Sequence, residues 1–242
     1  MMVYRLAAQG VSFPRPELAL QEPNGLLAVG GDLSVERLLN AYRNGIFPWF
    51  TEDDPPLWWS PDPRAVITPE TLHESRSMRR FRRRSSLRVT LNHAFAEVIA
   101  HCAATHSSRE GTWITAEMQA AYNELHHLGH AHSIEVWDQQ QLVGGMYGVA
   151  IAGVFCGESM FHHATNASKL AFLTFSEAFF AAGGQLLDAQ VPNEHLASLG
   201  QVDLPRSQFL YLIRRYAAKK QSVAPDFWLP RELNHKSSGN SA

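Results

Sequence analysis

Residues 131–190 read AHSIEVWDQQ QLVGGMYGVA IAGVFCGESM FHHATNASKL AFLTFSEAFF AAGGQLLDAQ, and this stretch decides the fold. Segments 132–138, 141–150 and 153–161 have strand character, and the turns Asp138-Gln139-Gln140 and Ala152-Gly153 between them suit hairpins. The three make a meander. Asn166 then opens a long helix through Phe172, Phe175, Phe179 and Phe180 that Gly183-Gly184 stops. Strand 185–190 follows at once, and strand, helix, strand implies a crossover connection.

Upstream of the meander the pattern is also regular. A strand at 64–67 is followed by an arginine-rich stretch and a strand at 87–91. Next come an amphipathic helix at about 93–104 capped by Asn92, and a helix at about 116–128 that starts at Thr115 and stops at Gly129. Downstream, a helix at 205–217 precedes the aromatic pair Phe227-Trp228. The first sixty residues are rich in Pro, Gly and Trp. They carry one clear helix, with Ser34 as N-cap, Leu38, Leu39 and Tyr42 apolar, and Gly45 as the stop; the rest reads as loops. Segments 47–50 and 57–63 set aromatics between prolines, so this region must dock on something larger. The elements add up to an α+β architecture with a mixed sheet. The expected organisation is a small N-terminal domain at 1–62, a larger domain at 63–232 and a disordered tail at 233–242.

A chain of 242 residues, 45% of them hydrophobic, can bury a full core. No apolar run approaches the roughly 20 residues that cross a bilayer, and the N terminus lacks the charged, apolar and small-residue order of a signal sequence. A cytoplasmic location is expected. Cys102 and Cys156 fit no metal or redox spacing and read as buried thiols. The net charge of −2 hides an asymmetry: seven arginines and no acid lie between Arg76 and Arg88, leaving 14 cationic against 23 acidic residues elsewhere.

Arg76, Arg79, Arg80, Arg82, Arg83 and Arg84 fall on several sides of any helix. A phosphate backbone is one partner for them, since guanidinium binds phosphate bidentately; a solvated charged segment is the other reading. Gly157-Glu158-Ser159-Met160-Phe161 is not a nucleophile elbow, because Phe161 stands where a second Gly belongs, and Ser159 reads as structural. Glu158 is a carboxylate on an apolar strand or an exposed strand position. His126, His127, His130 and His132 read as surface histidines, because Gly129 breaks metal-binding spacing. Gly144-Gly145-Met146-Tyr147-Gly148 lies within a strand and is no dinucleotide loop. Asp188 and Gln190, at i and i+2, should share one face. They are either a functional pair or a structural hydrogen-bonding pair at a strand end.

Several longer strings occur together: Glu22-Pro23-Asn24-Gly25-Leu26-Leu27, Gly45-Ile46-Phe47-Pro48-Trp49-Phe50, Trp58-Trp59-Ser60-Pro61-Asp62-Pro63-Arg64, Gly111-Thr112-Trp113-Ile114-Thr115, His130 to Trp137, Phe155 to Phe161, and Ala197-Ser198-Leu199-Gly200. In this order they closely resemble the bacterial leucyl/phenylalanyl-tRNA-protein transferases, from about Phe13 to Pro230. The resemblance implies an acetyltransferase-like (GNAT-like) larger domain. It also implies transfer of Leu or Phe, with Met as a third donor, from aminoacyl-tRNA to proteins bearing N-terminal Arg or Lys. Such transfer marks the acceptor for N-end-rule degradation. It places Trp49, Trp113, Tyr122, Glu158, Asp188, Gln190 and Asn193 at the active site and the arginine cluster on the tRNA acceptor stem. Neither cofactor nor metal is expected, because the donor ester is already activated; membrane and DNA are not expected as partners.

On this reading Asp188 holds the acceptor's α-ammonium and helps remove its proton, directly or through Gln190 or water. Gln190 orients, and Glu158 binds the acceptor's cationic side chain or positions its backbone. Trp49, Met146, Phe155, Met160, Phe175 and Leu187 are candidates for an apolar pocket that selects the donor side chain. An acetyl-CoA-dependent N-acetyltransferase is the alternative, though the entry Ala164-Thr165-Asn166-Ala167-Ser168-Lys169 lacks the glycines of a pyrophosphate loop.

Overall fold

A computed structural model describes residues 2–110, 112–217 and 223–235. The first sixty residues hold more than a helix. Strands β1 (Tyr4–Leu6), β2 (Leu26–Gly30), β3 (Phe47–Pro48) and β4 (Leu57–Trp59) form a sheet in the order β1-β2-β4-β3, with helix α1 (Val35–Arg43) between β2 and β3. The expectation of loops is corrected here. These strands are two to five residues long, interrupted by Pro and without alternation, so only pairing distant in sequence reveals them.

The remainder builds an eight-stranded mixed sheet. Its elements are β5 (Arg64–Ile67), α2 (Arg76–Arg84), β6 (Arg88–Leu91), α3 (Phe95–Glu110), α4 (Ala116–His127), β7 (Ala131–Asp138), β8 (Gln141–Ile151) and β9 (Val154–His162). Then follow α5 (Ala167–Ala181), β10 (Leu186–Gln190), α6 (Glu194–Ala197), β11 (Val202–Leu204), α7 (Arg206–Ala217) and β12 (Arg231–Leu233). The strand order is β11-β5-β10-β9-β8-β7-β6-β12. The meander β7-β8-β9 is antiparallel, and α5 returns the chain so that β10 lies parallel to β9. This is the crossover that residues 131–190 foretell.

Helices cover both faces of the large sheet, which is why its central strands read as almost continuous apolar runs. One core gathers Leu170, Phe175 and Phe179 of α5 against Ile134, Val136 and Phe155. The other gathers Phe95 and Val98 of α3 and Tyr122 of α4 with Tyr42, Phe47 and Trp58 of the N-terminal region and Phe209 of α7. The chain thus changes sheet between Trp59 and Arg64 without a break in its core. Gly144 lets α5 approach: a β-carbon there would lie 2.5 Å from that of Ala167.

Three local expectations are revised. Asn92 is left-handed (φ 59°) and spends its side chain on Trp228 and Ser133, not on α3; the buried Glu135 carboxylate holds the turn that leads into the helix, accepting from the backbone N–H groups of His93 and Ala94 at 3.2 Å each. The histidines are not all on the surface. His132 is buried against Trp228, with ring centroids 3.8 Å apart, and burial lowers its pKa to about 3; His126 stacks on Phe95 at 4.4 Å. At the C terminus β12 reaches Leu233, and both Leu233 and His235 are buried, so the tail does not begin at 233; residues 236–242 lie outside the described set. Both cysteines are buried and free. Among the described residues no helix is long and apolar enough to cross a membrane.

Candidate active site

Strands β9 and β10 pair only as far as Cys156 and Asp188, although β9 runs on to His162. A cleft of about 570 Å³ opens where they part. Ligand crevices in such sheets form beyond the carboxyl ends of parallel strands, because the main chains there diverge and leave room. Met146, Phe155, Met160, Phe172 and Leu187 make an apolar wall; Glu158, Asp188, Gln190 and Asn193 supply polar groups, and Trp113 stands at the rim.

Asp188 is 1% exposed and fully engaged. Arg64 donates from Nε to Oδ1 at 2.7 Å and from Nη2 to Oδ2 at 2.6 Å, and the backbone N–H of Gln190 donates to Oδ1 at 3.0 Å. The guanidinium is itself fixed, between the rings of Phe47 (4.9 Å) and Phe209 (4.5 Å) and by the Gly45 carbonyl at 3.1 Å. A bidentate, doubly stacked arginine of this kind is rigid. Nothing in the local sequence signals that Arg64 meets a carboxylate 124 residues away.

Gln190 departs from the expected alternation. A bulge separates it from Asp188 and its φ is +61°, a left-handed conformation uncommon for a residue with a side chain. The turn aims its amide at Glu158, with Nε2 donating to Oε1 at 2.8 Å. Tyr122 donates its hydroxyl to the other oxygen of Glu158 at 3.1 Å and is in turn bonded to the hydroxyl of Tyr42. Among the described residues no cation pairs with Glu158. Burial therefore raises its pKa to about 7, against the pull of the Tyr42 and Tyr122 hydroxyls. Burial and the charge of Glu158 push both tyrosines well above the usual phenol value, so they stay neutral donors.

Of the residues singled out from sequence, Trp113, Met146, Phe155, Glu158, Met160, Leu187, Asp188, Gln190 and Asn193 line the cleft and Tyr122 bonds to Glu158 behind it, whereas Phe175, Trp49 and the arginines of α2 do not. Phe175 stands behind the wall, its ring 4.5 Å from that of Phe155, and belongs to the core. Trp49 is 47% exposed, in edge contact with Trp59 at 5.7 Å, and does not line the cleft. Arg82 is 1% exposed and pairs with Glu177 at 2.7 Å and Glu74 at 3.0 Å, so it anchors α2 instead of facing a ligand. Arg76, Arg79, Arg80, Arg83 and Arg84 are exposed, with Arg76, Arg80 and Arg84 sharing one groove beside Phe81. The cleft also gains Phe172, Ser168 and His195. An apolar helix does not advertise which of its turns faces a cavity.

Known proteins share this framework. Residues 66–214 match the family described as leucyl/phenylalanyl-tRNA protein transferase, and residues 31–62 match the N-terminal domain of the same family. A leucyl/phenylalanyl-tRNA–protein transferase of Klebsiella pneumoniae (strain 342) is 59% identical over 236 residues, covering 96% of this chain and 98% of the relative. One from Citrobacter koseri is 57% identical over 233 residues with the same coverage. Among solved structures, a GCN5-related N-acetyltransferase from Kribbella flavida overlays 69% of this chain and 59% of its own at a TM-score of 0.33 and 14% identity, too loosely to carry any argument. The family match spans more than half of the chain and encloses the cleft between β9 and β10: the chain belongs to the leucyl/phenylalanyl-tRNA–protein transferase family.

Proposed function

We propose that the chain moves Leu or Phe from aminoacyl-tRNA onto the N-terminal Arg or Lys of acceptor proteins in the cytoplasm, which marks them for degradation. The observation that carries this reading is the cleft itself, where an apolar wall stands beside a buried carboxylate with no counter-cation among the described residues. The wall suits an aliphatic or aromatic side chain, since Met146 and Met160 can adapt to either guest. Family membership removes the ground for an acetyl-CoA-dependent reaction.

The reaction forms a C–N bond and breaks the ester C–O bond to ribose. The acceptor amine must therefore lose a proton and the ribose oxygen must gain one. Glu158, poised near pH 7, takes the first and returns it to the second, a match of pKa to task that general acid–base catalysis favours. We accordingly assign Glu158 to the acceptor's α-amine, which attacks in its neutral form, and not to the acceptor's side chain. Gln190 has donated its amide N–H to Glu158, which leaves its carbonyl to accept from the amine. Asp188, with both oxygens bonded to Arg64, is a positioning residue: it holds the bulge from which Gln190 reaches Glu158. Trp113, which lines the cleft, serves the donor, and Asn193 caps α6 at the cleft's edge. The exposed arginines of α2 hold the acceptor stem through its phosphates without reading sequence.

The test is transfer of radiolabelled Leu from Leu-tRNA to a peptide beginning with Arg, beside one beginning with Ala and a parallel reaction with acetyl-CoA. Transfer to the Arg peptide alone supports the reading. Acetylation without transfer from tRNA overturns it.

A further inference from the structure

The cleft is bordered by a strand edge that neither its apolar wall nor its carboxylates explain. Strand β9 has β8 beside it along its whole length, but β10 accompanies it only from Val154 to Cys156. Among the described residues no other strand takes up that side of 157–162. A bulge lies at the parting: Gly148 opposes Gly157 and Tyr147 opposes Ser159, so Glu158 is an extra residue that bends β9 away from its neighbour. Such an edge carries main-chain N–H and C=O groups at regular spacing and is a template for another strand.

Two observations put this edge inside the cleft. Residues 157–162 line it without a gap, whereas a strand seen face-on would contribute alternate residues only. The two faces of β9 are also already divided. Phe155 and Met160 belong to the core that α5 covers and join the apolar wall, while Glu158 reaches Tyr122, which belongs to the other core. The edge therefore runs between the apolar wall and the acid. Its two ends differ. At Gly157 it is closed by the Asp188 main chain, whose carbonyl oxygen would lie 3.8 Å from a β-carbon at Gly157; at His162 it is exposed.

We propose that the N-terminal segment of the acceptor protein adds to the β9 edge at 157–162 as a short parallel strand, with its α-amine at Glu158 and its chain leaving past His162. The inference rests on the proposed function and adds how the acceptor is held. A polypeptide offers an N–H and a C=O at every residue, as the edge requires, whereas the aminoacyl ester offers one carbonyl and one amine. The closed end at Asp188 and the open end at His162 set the direction, which is that of β9 itself. At about 3.3 Å per residue, 159–162 seats about four acceptor residues behind the first. Main-chain pairing leaves those residues largely unread, which suits an enzyme whose acceptors share their N-terminal residue and little else.

The test leaves the enzyme unchanged and alters the acceptor's backbone, so no variant has to fold. In a hexapeptide beginning with Arg, the amide nitrogen of each of residues 2 to 5 is methylated in turn, and KM for the peptide is measured with Leu-tRNA as donor. A methyl group removes one N–H donor and fills its place, so it is tolerated only where that N–H points away from β9. Because a strand turns alternate N–H groups to the same side, the expected result is a KM raised about tenfold at one alternate pair of positions and less than about twofold at the other. A change below about twofold at all four positions, or an equal rise at all four, overturns the added strand. Failure of the enzyme to modify the unmethylated hexapeptide overturns the proposed function and this inference with it; transfer to that peptide without the alternation overturns the inference alone.

Discussion

Two buried carboxylates stand on neighbouring strands of one sheet, Asp188 on β10 and Glu158 on β9, and they differ in their partners. Asp188 faces a guanidinium that is itself clamped between two aromatic rings, so its charge is matched and its geometry fixed. Among the described residues Glu158 has hydroxyls and an amide as partners, and burial raises its pKa to about 7. A desolvated acid with a counter-charge becomes a strut; one without becomes a group that can change protonation near neutral pH. Gln190 joins the two, its backbone bonded to the strut and its side chain to the poised acid.

The contrast can be broken in descending order of effect. Asp188→Ala leaves Arg64 buried without its partner and should cost about 3–5 kcal/mol of stability, read from urea unfolding; a loss below about 1 kcal/mol would deny Asp188 its structural role. Glu158→Gln should instead leave folding intact while lowering kcat by about a hundredfold or more, with the Kd for aminoacyl-tRNA held within twofold. Activity near that of wild type would remove Glu158 from proton transfer.

The same variant sharpens the comparison through stability. A carboxyl whose folded pKa of about 7 lies above the ordinary 4.5 binds its proton more tightly when folded, so its contribution is present below pH 4.5 and is lost as pH rises through 7. Glu158→Gln removes that loss. Its melting midpoint should exceed that of wild type at pH 8, by about 1–3 kcal/mol in free energy, and the gap should close near pH 4.5. A gap that widens on acidification would reverse the sign of the argument. The smallest effect is expected at α2: Arg80→Ala should weaken tRNA binding several-fold and lower its salt slope by about one without moving the melting midpoint. Arg82→Ala should do the opposite, because Arg82 is spent on Glu177 and Glu74.

What could be read from the chain beforehand follows the range of the forces involved. The meander, α4 and α5 declare themselves through caps, turns and runs of apolar residues, all local. The N-terminal sheet does not, because β1 pairs with β2 across more than twenty residues and β3 is Phe47-Pro48 alone. Within the site, Glu158, Asp188 and Gln190 stand out as polar residues on apolar strands. Their division of labour does not, since it depends on Arg64 arriving from another strand and on a bulge that turns Gln190 out of register. The arginine cluster could be counted in the sequence, but its buried member, Arg82, is distinguished only by the glutamates that fold against it.

The most direct test is the pH dependence of kcat for Leu transfer to an Arg-initiated peptide, measured with wild type and Glu158→Gln at saturating substrates. Titration of the acceptor amine is common to both proteins. The account predicts a wild-type profile that falls tenfold per pH unit below about 7, and a Glu158→Gln profile without that limb. An identical acid limb in both would contradict it and return the proton to another group.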